Sequence, residues 1–224
     1  MRHYAVIAGI CVLVAGCATT SNATSSTPAP TMTPRPLMER ELPVLLLSPE
    51  EVAAAMGSTP MTVTSTQTTM SDSSAIMEPA ECLAIDGAAE AVVYANSGFT
   101  AELDESMNNG NDFTHYVKQS VVRFPYIEKA AEFFEMSVQQ WPACHAYSHT
   151  QSGSKWTVGE IHNADGMLST TATMQDAKAP GWGCGRALAL RNNLIVDVNT
   201  CTANPADTAE RIAAQIGEKI DAQW

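Results

Sequence analysis

Positive charge is scarce in this 224-residue chain: 12 Lys and Arg stand against 24 Asp and Glu, a formal net charge of -12. Nucleic-acid binding needs clustered cations, and the deficit argues against it. It equally disfavours electrostatic docking on anionic lipid. Aromatic residues make up only 6%, too few for a broad base-stacking or sugar-stacking platform. No apolar run reaches the roughly 20 residues that cross a bilayer. Catalytic signatures are missing as well: the chain has no GxSxG elbow, HExxH pair, P-loop or dinucleotide fingerprint. What is present is 45% hydrophobic and 16% charged. That composition fills the core of one domain with extras, or of two small domains at most.

The first residues carry an address. Arg2 is followed by an apolar stretch, Ala5 to Ala15, which has the length of a signal-peptide core. It ends in Val14-Ala15-Gly16-Cys17, small residues before a cysteine, which resembles a bacterial lipobox. The resemblance implies that residues 1–16 are removed and that Cys17 becomes a lipidated N-terminus, bearing diacylglyceryl and palmitate. Residues 17–39 then read as a tether. From Ala18 to Pro36 the chain is rich in Ser, Thr, Pro and Ala and has too little to bury to offset its ordering entropy. Its Ser and Thr residues are possible sugar acceptors. Residues 40–224 form the folded domain.

Six cysteines become four once this processing is counted, because Cys11 leaves with the signal and Cys17 is acylated. Four cysteines in an exported domain imply two disulfides, with three connectivities open. Geometry selects one pair. Arg186–Arg191 and Leu194–Asn199 are strand-like, and Asn192-Asn193 between them suits a two-residue hairpin turn. Cys184 and Cys201 then fall opposite each other, at a non-hydrogen-bonded position where Cα atoms are about 4.5 Å apart. A bulge at the flanking Gly183 or Gly185 would spoil that register. Cys82–Cys144 follows by exclusion. Four free thiols or a zinc site fit less well, since paired CxxC knuckles are lacking.

Along the domain, Ser48-Pro49-Glu50-Glu51 opens a short helix with a capping box, and Gly57 can end it. Met61–Met70 reads as a strand and Ala84–Tyr94 as a helix. Met107–Asp112 is a turn cluster, Phe113–Phe124 a long strand, and Tyr126–Trp141 an amphipathic helix. Cys144–His149, Lys155–Ile161 and Met167–Met174 are strands before the hairpin. Pro205–Ile220 closes the chain as an amphipathic helix, with Asn204 as its cap and Ala209, Ile212, Ala213, Ile216 and Ile220 inward. Serial strands flanked by helices predict an α+β domain: a twisted antiparallel sheet packed against helices.

Chemistry-bearing residues are sparse. His145 and His149, four apart on a strand, would stand about 13 Å apart, too far to share an ion. His115 and His162 are isolated, and Asp104-Glu105 reads as a solvated loop. The expectation is no metal, no cofactor and no catalytic residue. The 11 Met residues are dispersed and read as gap-filling packing. The glycine-rich run Gly181–Gly185 reads as a tight strand entry.

The C-terminal half is similar to a known family. Trp141-Pro-Ala-Cys144 after an amphipathic helix, Gly181-Trp182-Gly-Cys184-Gly-Arg186-Ala187-Leu188, Arg191-Asn192-Asn193-Leu-Ile-Val-Asp197-Val198 up to Cys201, and a closing Ala/Ile helix resemble the PknH-like extracellular sensor domain. That domain is the outer portion of some mycobacterial receptor Ser/Thr kinases and is shared by stand-alone lipoproteins. The resemblance covers residues 42–222. It implies a twisted antiparallel sheet with helices, the two disulfides paired above, and a cleft for an unknown ligand. This chain departs from the receptor kinases in having no kinase and no transmembrane helix.

The expectation is therefore a lipid-anchored protein on the extracytoplasmic face of the cell membrane, not an enzyme, whose domain binds an envelope ligand. Tyr147, Trp156, Trp182 and Arg186 are the ligand-binding candidates, because rigid aromatics and a guanidinium suit recognition. Core packing is the plainer account of the same residues. A protein–protein adaptor is the first alternative. An envelope hydrolase is the second, and a Ser or carboxylate within hydrogen-bond reach of a His in a pocket would favour it.

Overall fold

The computed structural model describes residues 34–223. The expected signal peptide, the expected lipidation site Cys17 and the expected tether up to residue 33 lie outside the described residues. A 3₁₀ turn at Glu39–Val44 leads into α1 (Pro49–Ala55). Ser48 Oγ accepts the Glu51 N–H while the Glu51 carboxylate accepts the Ser48 N–H, the capping box written in the sequence. There follow β1 (Thr62–Gln67), β2 (Met77–Glu78), α2 (Leu83–Asp86), α3 (Ala91–Tyr94), β3 (Ala101–Asn108) and β4 (His115–Arg123). Then come α4 (Ile127–Gln140), β5 (Ala146–His149), β6 (Lys155–Val158), β7 (His162–Ala164) and β8 (Met167–Met174). The chain ends with β9 (Trp182–Arg191), β10 (Leu194–Ala203) and α5 (Thr208–Asp221).

The strands make one antiparallel sheet in the order β1-β3-β4-β10-β9-β8-β6-β5-β2, with β7 beside β8. Its centre is the β9–β10 hairpin. Arg191 pairs with Leu194 across the Asn192-Asn193 turn, and Asn192 takes the positive φ of 52°. The register runs without a slip to Cys201 opposite Cys184, and these two are bonded with a Cα–Cα distance of 4.0 Å. Gly183 and Gly185 therefore serve close approach rather than a bulge. A Cβ on Gly185 would meet Thr200 Oγ1 at 2.9 Å and Ala209 Cβ at 3.4 Å, so glycine lets α5 seat on β9. The second disulfide joins Cys82 to Cys144, tying the start of α2 to the end of α4's 3₁₀ extension.

Strand alternation gives the sheet two apolar faces. One buries Met107, Val117, Val121, Ala187, Ala189, Val196 and Val198 against α5, α1 and the N-terminal segment from Leu37. Residues Ala209, Ile212, Ala213, Ile216 and Ile220 of α5 point inward, as their spacing predicts. The other face packs Val122, Leu168, Leu188 and Ile195 under α2, α3 and α4, with Phe133, Phe134, Tyr94 and Trp141. Packing extends upstream of Arg40. Leu37 is fully buried, and its N–H and C=O are both bonded by the Asn193 side chain of the hairpin turn.

Several local expectations change in the folded chain. The Ala84–Tyr94 run is two single-turn helices, because Gly87 interrupts it in extended conformation. Asp207, not Asn204, precedes α5. Asn204 is in the left-handed region (φ 56°) and its N–H bonds Gly181 O at 2.7 Å, so the chain is still tied to the β9 entry there. Asp104-Glu105 is no loop: both lie in β3, and Asp104 is 1% exposed. Tertiary pairing with β1 and β4 overrides the low strand preference of AELDESMN.

Candidate functional site

Polar residues line up along the face of the sheet that carries α2–α4. Asp104, Ser120 and Asp197 are consecutive neighbours across β3, β4 and β10. One step along, Ser106, Lys118, Asn199, Arg186 and Thr170 form a second row. Arg186 and Asp197, 2% and 0% exposed, form a buried ion pair. Arg186 also donates to Ala187 O and Val198 O, each at 3.0 Å, and its guanidinium stands 5.3 Å from the Trp141 ring. The other oxygen of Asp197 accepts Tyr94 O–H at 2.8 Å and Ala89 N–H at 2.9 Å. Asn199 Nδ2 donates to Asp86 O at 3.1 Å. Strand side chains thus fasten the α2–α3 segment, and this fixes where the Asp86 carboxylate points. Burial and the nearby Asp197 charge hold the Tyr94 phenol neutral, far above its usual range.

Beyond the α2–α3 segment the same face opens into a cavity of about 280 Å³. Its floor is the Cys184–Cys201 disulfide, and Asp86, Phe113, Tyr116, His149, Trp156 and Trp182 form its walls. Phe113 and Trp182 are 6.5 Å apart and also line an adjoining open groove of about 660 Å³. The groove's other walls include Ser154, Lys155, Met174, Asp176 and Lys178. The chain has five lysines. Lys118 pairs with Asp104, Lys129 with Glu132 and Lys219 with Glu51. Among the described residues Lys155 and Lys178 have no such partner, and both border the groove.

The four residues singled out from sequence do not share one surface. Trp156 and Trp182 reach the cavity. Tyr147 stacks behind Trp156 with ring centroids 5.8 Å apart and planes 9° apart, and it faces a smaller neighbouring hollow. Arg186 is in the core, where its partner is Asp197. Phe113, Tyr116 and Asp86 escaped the sequence reading, in which His149 enters only as a rejected metal ligand. For His149 the alternation with Tyr147 on β5 was a usable signal; Asp86 arrives through the α2–α3 fastening, which no local pattern encodes.

Glu102 on β3 is the member of the polar array with both side-chain oxygens unpartnered; Ser120 Oγ and Arg186 Nε are also buried without a hydrogen-bond partner among the described residues. Glu102 is 4% exposed, and among the described residues neither carboxylate oxygen has a hydrogen-bond partner. Burial and then the Asp104 charge raise its pKa to about 7, against the pull of Lys118. Asp104 is raised too, chiefly by burial. A carboxyl whose folded pKa lies above its unfolded value of 4.5 holds its proton better in the folded state. Its contribution is therefore lost as pH rises towards 7. Urea unfolding of wild type and E102Q at pH 5 and pH 8 tests this. Relative to E102Q, wild type should lose about 2 to 3 kcal/mol over that interval. A pH-independent difference would place the proton elsewhere.

With this geometry in hand, the chain can be set beside known proteins. A family model described as the PknH-like extracellular domain matches residues 37–219. The serine/threonine-protein kinase PknH of Mycobacterium bovis is 32% identical over 192 residues, covering 84% of this chain and 32% of that protein. The kinase of the same name from Mycobacterium tuberculosis strain H37Rv is likewise 32% identical, over 84% of this chain and 30% of its own length. The chain thus spans about a third of the curated relatives it matches. The crystal structure of the extracellular domain of PknH from Mycobacterium tuberculosis superposes with a TM-score of 0.79 at 30% identity, covering 84% of this chain and 99% of that one. Among the described residues no helix is long and apolar enough to cross a membrane. The match from the buried Leu37 almost to the end of α5 is decisive: this chain belongs to the family of PknH-like extracellular domains.

Proposed function

We propose that this is a sensor-type domain held on the outer face of the cell membrane by lipid on Cys17, and that it binds an envelope ligand in the groove beside Trp182. The observation that carries the reading is the pair of adjoining hollows that share Phe113 and Trp182, one with Tyr116, Trp156 and the disulfide, the other with Lys155 and Lys178. Concave sites with aromatic walls and a few polar groups are the usual form of small-molecule sites. The rings supply a flat apolar face for stacking. The Lys155 and Lys178 ammonium groups, which have no salt-bridge partner among the described residues, stand against the single Asp176 carboxylate of the groove and supply local positive charge in a chain of net charge -12. The ligand class that fits is a molecule with a flat apolar or sugar face and one anionic group. Anchoring draws on the lipobox-like Val14-Ala15-Gly16-Cys17 and on membership of a family of extracellular domains.

Two measurements test these two parts. Fluorescence titration with 8-anilinonaphthalene-1-sulfonate and its uncharged analogue N-phenyl-1-naphthylamine probes the groove. W182A should weaken both probes, whereas K155Q/K178Q should weaken the sulfonate by about tenfold and leave the neutral probe unchanged. Binding of both probes unaffected by W182A would remove the groove from the account. For the anchor, detergent phase partitioning in a mycobacterial host should send wild type to the detergent phase and C17A to the aqueous phase. Equal partitioning of the two would remove the lipid.

A further inference from the structure

Three side chains at the groove form a hydrogen-bonded series that neither the family nor ligand binding calls for. His149 on β5 has Nε2 at 2.8 Å from Asp86 Oδ1, and its Nδ1 is 3.2 Å from Ser154 Oγ. Asp86 comes from α2, while His149 and Ser154 face each other at the mouth of the β5–β6 hairpin, where His149 N–H bonds Ser154 O at 3.0 Å. Proton positions follow from the partners. An ionised Asp86 accepts only, so Nε2 carries the proton and Nδ1 is left as the acceptor for the Ser154 hydroxyl. Trp156 Nε1–H donates to the same Oγ at 3.1 Å, and Ser152 Oγ lies 3.0 Å from it. The imidazole lies beside the stacked Tyr147–Trp156 pair, with ring centroids 5.8 Å and 6.0 Å away. Ser154 borders the larger groove, and His149 and Asp86 border the cavity beside it.

We propose that Asp86, His149 and Ser154 form a nucleophilic triad that hydrolyses carboxylic esters presented in this groove. The roles follow from the order of the contacts. Ser154 Oγ attacks the ester carbonyl carbon and its proton passes to His149 Nδ1. The bond to the leaving alcohol breaks, and the alcohol takes that proton. Water then attacks the acyl-serine and gives a proton to Nδ1, which returns it to Ser154 as the carboxylic acid departs. One water is consumed, and nothing is oxidised or reduced. Asp86 keeps the productive tautomer and favours the imidazolium, raising the pKa of His149. The groups facing this imidazole are Asp86 from α2, Tyr147 from its own strand, Ser154 from the hairpin and Trp156 from β6. Seating the ester's apolar part against Phe113 and Trp182 rests on the groove reading above; activation of the serine does not.

Labelling with a fluorophosphonate, located by peptide mass mapping, tests the triad independently of ligand binding. Wild type should be modified at Ser154, with a rate that rises with pH through a midpoint above the ordinary histidine value of 6.5. S154A should abolish the adduct. H149Q should slow it at least tenfold, and D86N should slow it and move the midpoint down. Thermal melts with both disulfides intact would establish that each variant is folded. A wild-type protein unlabelled at Ser154, or a folded H149Q labelled at the wild-type rate, would overturn the proposal.

Discussion

The buried ion pair between Arg186 and Asp197 organises the face of the sheet on which the candidate chemistry sits. Arg186 and Asp197 face each other from β9 and β10 beneath Trp141, almost entirely out of water. Such a pair carries a large desolvation cost and persists where further hydrogen bonds satisfy its remaining atoms. Here Val198 O and Ala187 O accept from Arg186 Nη1, while Nε is buried without a partner among the described residues, and Ala89 N–H and Tyr94 O–H donate to the carboxylate. The last two bonds matter most for function. They hold an irregular, only briefly helical segment on a β-sheet, and add direction to the apolar burial of Leu83, Ile85 and Ala89.

The consequences run outward from there. Fastening α2–α3 sets Asp86, Asp86 orients His149, and His149 reaches Ser154 across the hairpin mouth. The Cys184–Cys201 bond floors the cavity next to this series, and Cys82–Cys144 ties the start of α2 to the far end of α4. Among the described residues, the opposite face, where α5 packs on Val196, Val198 and Ala187, buries no charged side chain. The domain thus divides its labour: one face of the sheet is conventional apolar packing, and the other places polar groups.

Much of this architecture was legible in the residues. The hairpin register and the Cys184–Cys201 pair followed from an Asn-Asn turn between two apolar runs, because antiparallel pairing is arithmetic once the turn is located. The inward face of α5 followed from its period. β3 was not legible, because Glu102, Asp104 and Glu105 spell a polar loop unless both flanking strands are known. Arg186 was misplaced in the same way: a lone guanidinium reads as surface, and only Asp197, opposite Leu188 and diagonal to Arg186 on the same face, makes burial tolerable. The Asp86–His149–Ser154 series is drawn from segments 63 and 5 residues apart in sequence, and such a meeting leaves no local motif.

The most direct test of the organising role of Asp197 is amide hydrogen exchange of the wild-type domain and D197N. The account predicts that D197N loses protection selectively at Ala89 and through residues 86–94, while α5 and the β9–β10 ladder exchange as in wild type. Unchanged protection at Ala89, or an equal loss of protection in α5, would contradict it.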